Sequence, residues 1–147
     1  MQRRMLFLLV LCSLTSALSL GSEEAQADGG FVVVVNKGND TAALSRSDLK
    51  KLVTGGTKQW KTGAAVQVGI IPSEAAETQY LSQTIDLSTK ELLARIQEQV
   101  FKGEMKRPVV IRSSAECIAF ARGNPGAICV ASAASPMPPE AHAIPVR

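Results

Sequence analysis

Histidine occurs once in this 147-residue chain, at His142. No second histidine and no nearby cysteine accompanies it, so the sequence offers no ligand set for a zinc or related metal centre. It also lacks a Gly-x-Ser-x-Gly elbow, which would expose a nucleophile, and a glycine-rich loop ending in Gly-Lys-Ser, which would cradle a nucleotide phosphate. Neither an enzyme nor a bound cofactor is expected. Aromatic residues make up 4% of the chain, with Trp60 as the single tryptophan. The formal net charge of +3 is scattered rather than gathered into a stripe, which gives nucleic-acid binding no footing. The longest apolar run, Met5 to Leu20, holds about 16 residues, short of the roughly 20 that cross a bilayer as a helix.

That run has the form of an export signal. Arg3 and Arg4 precede it, and a polar stretch ending Ala25-Gln26-Ala27 follows it. Residues 1–27 are expected to be a signal peptide cut after Ala27, in preference to a cut nearer Ser19 or an uncleaved anchor. Cys12 stands behind Leu11 rather than behind a small residue, which argues against a lipoprotein anchor. Residues 28–147, about 120 in number, are enough for one domain with a core of its own. They would be periplasmic or secreted. Two cysteines remain there, Cys117 and Cys129, and an oxidising compartment permits a disulfide between them. Two small buried apolar side chains are the alternative, and the choice turns on whether the Cα atoms lie within about 7 Å.

Phe31-Val32-Val33-Val34-Val35 shows no polar alternation, so neither face of that strand can meet water, and it belongs inside a sheet covered by helices. Ser45, three residues ahead of Asp48, starts a helix carrying Leu49, Leu52 and Val53, which ends at Gly55-Gly56. Val66 to Ile71 reads as a second strand stopped by Pro72, after which Ser73 and Glu74 open a helix through Tyr80 and Leu81. Ser88-Thr89-Lys90-Glu91 is a capping box for the longest helix, whose apolar face is expected to hold Leu92, Leu93, Ile96, Val100 and Phe101 before Gly103. Val109-Val110-Ile111 is the next strand, and Ser113 with Glu116 is a further capping box. Asn124-Pro125 turns the chain into Gly126 to Val130, and a last short strand is expected over Ala143-Ile144-Pro145-Val146. This alternation predicts an α/β fold: three layers, α/β/α, with a mostly parallel sheet.

These residues carry a resemblance. From Phe31 to about Val130 the chain resembles the phosphate-type periplasmic substrate-binding proteins of ABC transporters, as one lobe of their type II periplasmic-binding-protein fold. The marks are the valine strand, Leu44-Ser45-Arg46 before a helix, Gly55-Gly56 followed by Trp60 and Gly63, Phe101-Lys102-Gly103 before Pro108, and Asn124-Pro125-Gly126-Ala127-Ile128 before a hydrophobic strand end. The resemblance implies a ligand held between two lobes, whereas this chain has the length of one. It also implies an Arg and Ser-Gly-Thr signature that grips phosphate oxygens. The corresponding stretch here is Pro72-Ser73-Glu74-Ala75-Ala76-Glu77-Thr78, where only Ser73 and Thr78 keep a donor hydroxyl. Glu74 and Glu77 would repel an oxyanion, by roughly 1 kcal/mol at about 4 Å in water and several times that when half-buried. The family's tyrosine-bearing strand end is replaced by Cys129-Val130.

An anion site needs unpaired amides at a helix N-terminus, short hydroxyls and a nearby cation. Arg112, Ser113 and Ser114 meet all three at the carboxyl end of a strand, where open α/β sheets bind ligands. The plainer reading is that Ser113 only caps its helix while Arg112 is solvated. Ser45 and Arg46 form a similar but weaker pair, and Ser73 and Thr78 mark the family-equivalent place. Trp60 either stacks on a ligand or closes its loop over the core, the second being favoured. The functional expectation is an exported, non-enzymatic solute-binding domain that recognises a small oxyanion such as phosphate, weakly or as a homodimer that rebuilds the missing wall. The alternative is a ligand-free scaffold docking on an envelope sensor or transporter. A thiol protein using Cys117 and Cys129 is a third, weak idea, since the pair is not Cys-x-x-Cys.

Overall fold

The structure is a computed structural model that describes residues 30–72 and 75–147. The expected signal peptide, and Ser73 and Glu74, lie outside the described residues. Strands β1 (Phe31–Asn36), β2 (Gln67–Ile70), β3 (Val109–Val110), β4 (Ala127–Ser132) and β5 (Ala141–Ile144) form one sheet in the order β3-β2-β4-β1-β5. Helices α1 (Arg46–Val53), α2 (Ala76–Thr84), α3 (Thr89–Phe101) and α4 (Ser114–Gly123) cover it. β2 runs parallel to β3 and β4, and β1 runs antiparallel to β4 and β5, so β1 alone points against the rest. The sheet is thus mixed, with its other strands sharing one direction. Hydrophobic runs report burial on two faces but carry no sign of direction, so the reversal of β1 could not be read from its valines.

The two faces divide the valine run as a period of two requires. Val33 and Val35 join Ile128 and Val130 of β4 in a core with Leu49, Leu52, Leu81, Leu92 and Ile96, which come from α1, α2 and α3. Val34 faces the other way, onto a second core built with Ala127, Cys129 and Ala131 against Cys117, Ile118 and Ala121 of α4. The result is the three-layer arrangement, with α4 alone on one side. Cys117 and Cys129 are joined as a disulfide with their Cα atoms 5.9 Å apart, which fixes α4 to β4. Asn36 ends β1 by donating its side-chain amide to the carbonyls of Ala121, at 2.7 Å, and Arg122, at 3.1 Å, so the last turn of α4 is tied to β1.

Helix starts follow the short polar residues. Ser45 accepts from the Asp48 amide, and Ser88 and Glu91 form a complete, reciprocal capping box. Ser113 accepts from the Glu116 amide at 3.2 Å, but the Glu116 carboxylate reaches past it to the Arg112 amide at 2.7 Å, so this box closes one residue early. α2 starts at Ala76 with Ala75 as its N-cap and no side-chain cap, later than the expected opening at Ser73. β5 ends at Ile144 rather than running on to Val146, which forms only an isolated bridge to Leu44. Phe101 is a further correction: expected on the apolar face of α3, it is 93% exposed. Nine residues at about 100° each place it roughly 180° from Leu92.

Trp60 is the core lid. It is 6% exposed, and its indole N–H donates to the Gly126 carbonyl at 3.0 Å. The contact requires glycine there, because a Cβ on Gly126 would stand 1.7 Å from the Ala65 carbonyl oxygen.

Candidate functional site

The carboxyl ends of β2 and β4 and the N-termini of α2 and α4 meet at one edge of the sheet. Amides at two helix starts make that edge electropositive before any side chain is counted. Into it point Ser114 of α4 and Glu77 of α2. The Ser114 hydroxyl donates to the Glu77 carboxylate at 3.0 Å, while the Ser132 amide, at the end of β4, donates to the Ser114 oxygen at 2.8 Å. Ser114 is therefore used twice, as donor and as acceptor. Its proton faces an anion, and that anion is a side chain of the protein.

The remaining sequence-predicted residues separate into three groups. Arg112 and Ser113 adjoin Ser114 in sequence, and both are exposed. Arg112 has no carboxylate within ion-pair distance among the described residues, so its guanidinium is available to solvent. Ser113 is engaged as the N-cap of α4. Thr78 lies in the first turn of α2 and is 2% exposed; its hydroxyl donates to the carbonyl of Ile71, just past β2, so that proton is committed to stitching α2 to the sheet. Ser45 and Arg46 stand at the N-terminus of α1, where Leu44 pairs with Val146 beyond β5 and the Arg46 amide donates to the Arg147 carbonyl. β1 and β5 lie on that side of β4, and no hydrogen bond or ion pair links Ser45 or Arg46 to Arg112–Ser114 among the described residues.

The crevice left at this edge is small. Gly69, Ile70, Ile71, Glu77, Thr78 and Ile111 line about 10 Å³ of space open to the centre of a water-sized sphere, about what a single water needs. That space is too small for a phosphate ion. The sequence marked Glu77 as a repelling charge, but it could not show that Glu77 and Ser114, 37 residues apart, share a hydrogen bond. Nor could any motif have drawn attention to the backbone amide of Ser132. Among the described residues no cluster of three or more His, Cys, Asp or Glu is placed to hold a metal ion, and no helix is long and apolar enough to cross a membrane.

Comparison with protein-family models and with curated proteins gave no match. Comparison with solved structures did. An ABC-type phosphate transport receptor from Vibrio cholerae superposes with a TM-score of 0.61 at 18% identity, covering 80% of this chain and 46% of its own. A protein described as a phosphate ABC transporter substrate-binding protein, solved with bound phosphate, from Clostridium perfringens gives 0.63 at 18% identity, covering 80% and 44%. The chain thus spans under half the length of either protein. Its mixed sheet, with helices on both faces, shares its fold with the parts of these two structures that it covers.

Proposed function

We propose that the chain is an exported, non-enzymatic solute-binding domain whose carboxyl-edge site recognises a small oxyanion such as phosphate weakly. The observation that carries this reading is the donor beside two helix starts: the Ser114 hydroxyl, whose oxygen is held by the Ser132 amide, already faces an oxygen anion in Glu77. An exogenous oxyanion would use the same donor, with Arg112 as the adjoining cation. Two neighbours of the same fold are described by their phosphate transport role, which supports the choice of anion. A single lobe leaves one side of the ligand in water, so contacts are screened and affinity is low unless a homodimer or another chain supplies the second wall. Partners on this reading are the ligand and a membrane transporter or sensor.

A second reading is favoured by the same hydrogen bond. If Glu77 is the permanent occupant, the domain is a scaffold whose binding crevice is closed, and its partner is an envelope protein. Thermal unfolding at constant ionic strength, with and without millimolar phosphate or sulfate, separates the two. Occupancy at about 100 times Kd raises stability by roughly 2.7 kcal/mol. A selective rise with one oxyanion that disappears in Arg112→Ala supports solute binding. No rise with either anion, in the wild type or in Glu77→Gln, overturns it in favour of the scaffold.

A further inference from the structure

At the opposite end of the sheet, where β2 begins, a second and larger concavity opens. Its walls are the loop after α1, the stretch leading into β2, and the loop between α3 and β3; it encloses about 620 Å³. That is within the roughly 300–1,000 Å³ typical of small-molecule sites. Its apolar wall is made by Leu52, Val66, Val68 and Met105. Leu52 and Val68 belong to the main core, so the cleft reaches down to the hydrophobic interior. Gly55 makes room for Met105, since a Cβ there would press against the Met105 side chain at 3.0 Å. Met105 is unbranched and polarizable, a wall that adapts to the shape beside it.

The charged residues lining the cleft are Lys58, Glu104 and Lys106. Lys58 and Glu104 come from opposite walls and are bridged at 2.6 Å, which holds the two loops at a set spacing. Lys106 has no ion-pair partner among the described residues. One uncompensated cation beside an apolar wall sets the ligand chemistry. A cation would meet repulsion, and an inorganic oxyanion would lose hydration against side chains that return few hydrogen bonds. An organic monoanion with an apolar body satisfies both surfaces.

We propose that this cleft binds a small amphipathic organic anion, with its apolar body against Leu52, Val66, Val68 and Met105 and its carboxylate or sulfonate at Lys106. The site is separate from the carboxyl edge and does not depend on the function proposed for that edge. Its neighbours Thr57 and Gln59 line the same space and supply hydrogen-bonding groups to orient the head.

The test uses anilinonaphthalene sulfonate fluorescence with the purified protein, and displacement by octanoate, octanol and phosphate. Expected is saturable binding, displaced by octanoate more readily than by octanol and not by phosphate. Lys106→Glu should weaken the octanoate interaction about tenfold through reversal of one partly screened charge. Thr57→Trp should abolish it by bulk, and Glu77→Gln, at the far edge, should leave it unchanged. Both Lys106→Glu and Thr57→Trp alter side chains outside the main core, and retention of the wild-type melting temperature shows that the fold is intact. Absence of saturable binding, or binding that survives both cleft substitutions, overturns the proposal. Loss of binding in Glu77→Gln with both cleft variants unaffected would move the site to the carboxyl edge and overturn it equally.

Discussion

Ser114 gives its hydroxyl proton to the carboxylate of Glu77 across 3.0 Å, joining α4 to α2 at the electropositive edge of the sheet. The pair places a fixed negative charge where a small anion would otherwise lie. Its removal therefore reports on the donors directly. Glu77→Gln keeps the size and one acceptor oxygen but deletes the charge, and is expected to raise phosphate affinity by at least about tenfold, since a like charge at about 4 Å costs roughly 1 kcal/mol in water and more when half-buried. Isothermal titration with phosphate, run beside the wild type, measures the gain. An unchanged affinity would mean that the edge is closed to anions by geometry rather than by charge.

Gly126→Ala is expected to cost about 3 kcal/mol or more, because a side chain there must push the Ala65 backbone aside rather than a flexible side-chain end. Trp60 donates to the Gly126 carbonyl, so its emission, the only tryptophan signal in the chain, should shift to the red as the lid lifts. Denaturant unfolding with that signal gives the loss in stability.

Reduction of Cys117–Cys129 opens a loop with a sequence separation of 12. Chain-entropy arguments give about 3 kcal/mol for a loop of this order, or a fall of about 10 °C in melting temperature for a domain this size. Calorimetry with and without reductant checks it. Two thiols reacting freely with an alkylating reagent in the unreduced native protein would contradict the bond.

Acid should weaken the fold modestly. The Ser88 amide and hydroxyl hold the Glu91 carboxyl below the usual range, and the hydrogen bond from Lys58 does the same for Glu104. Groups depressed on folding contribute stability that is present above their unfolded pKa, near 4.3, and is lost as pH falls through the lower folded value. Both carboxyls are on the surface, so the effect of each is small and screened by salt. Melting temperatures measured downwards from pH 5 should fall less steeply in Glu91→Ala and Glu104→Ala than in the wild type, each variant starting from a slightly lower plateau.

What the sequence disclosed follows from what its patterns encode. The valine run announced burial on both faces, Ser88 and Glu91 announced a helix start, and the pairing of Trp60 with its loop was consistent with a lid; each signal is local. Phe101 misled because it sits next to Val100, yet one residue further round the helix turns a partly buried side chain into one that is 93% exposed. At Ser113 and Ser45 the sequence left a helix cap and a ligand donor side by side, because both roles ask for the same hydroxyl at the same helix position. Distinguishing them requires tertiary neighbours. The Glu77 and Ser114 bond, and the cleft between Lys58 and Lys106, join separate stretches of chain and leave no mark in any one of them.

The reversed strand, β1, depends on partners far along the chain. β1 is closed on one side by β4 and on the other by β5, with Phe31 opposite Ser132 and Val33 opposite Ile144. Both partners lie about a hundred residues downstream, so long loops must close before the valines gain any cover, a slow step by the rule that distant pairing delays folding. Of the described strands, the one made first is among the last to be satisfied. A chain emerging from a ribosome cannot complete this sheet until β5 has cleared the exit, and until then its valine strand must be kept from partners other than its own.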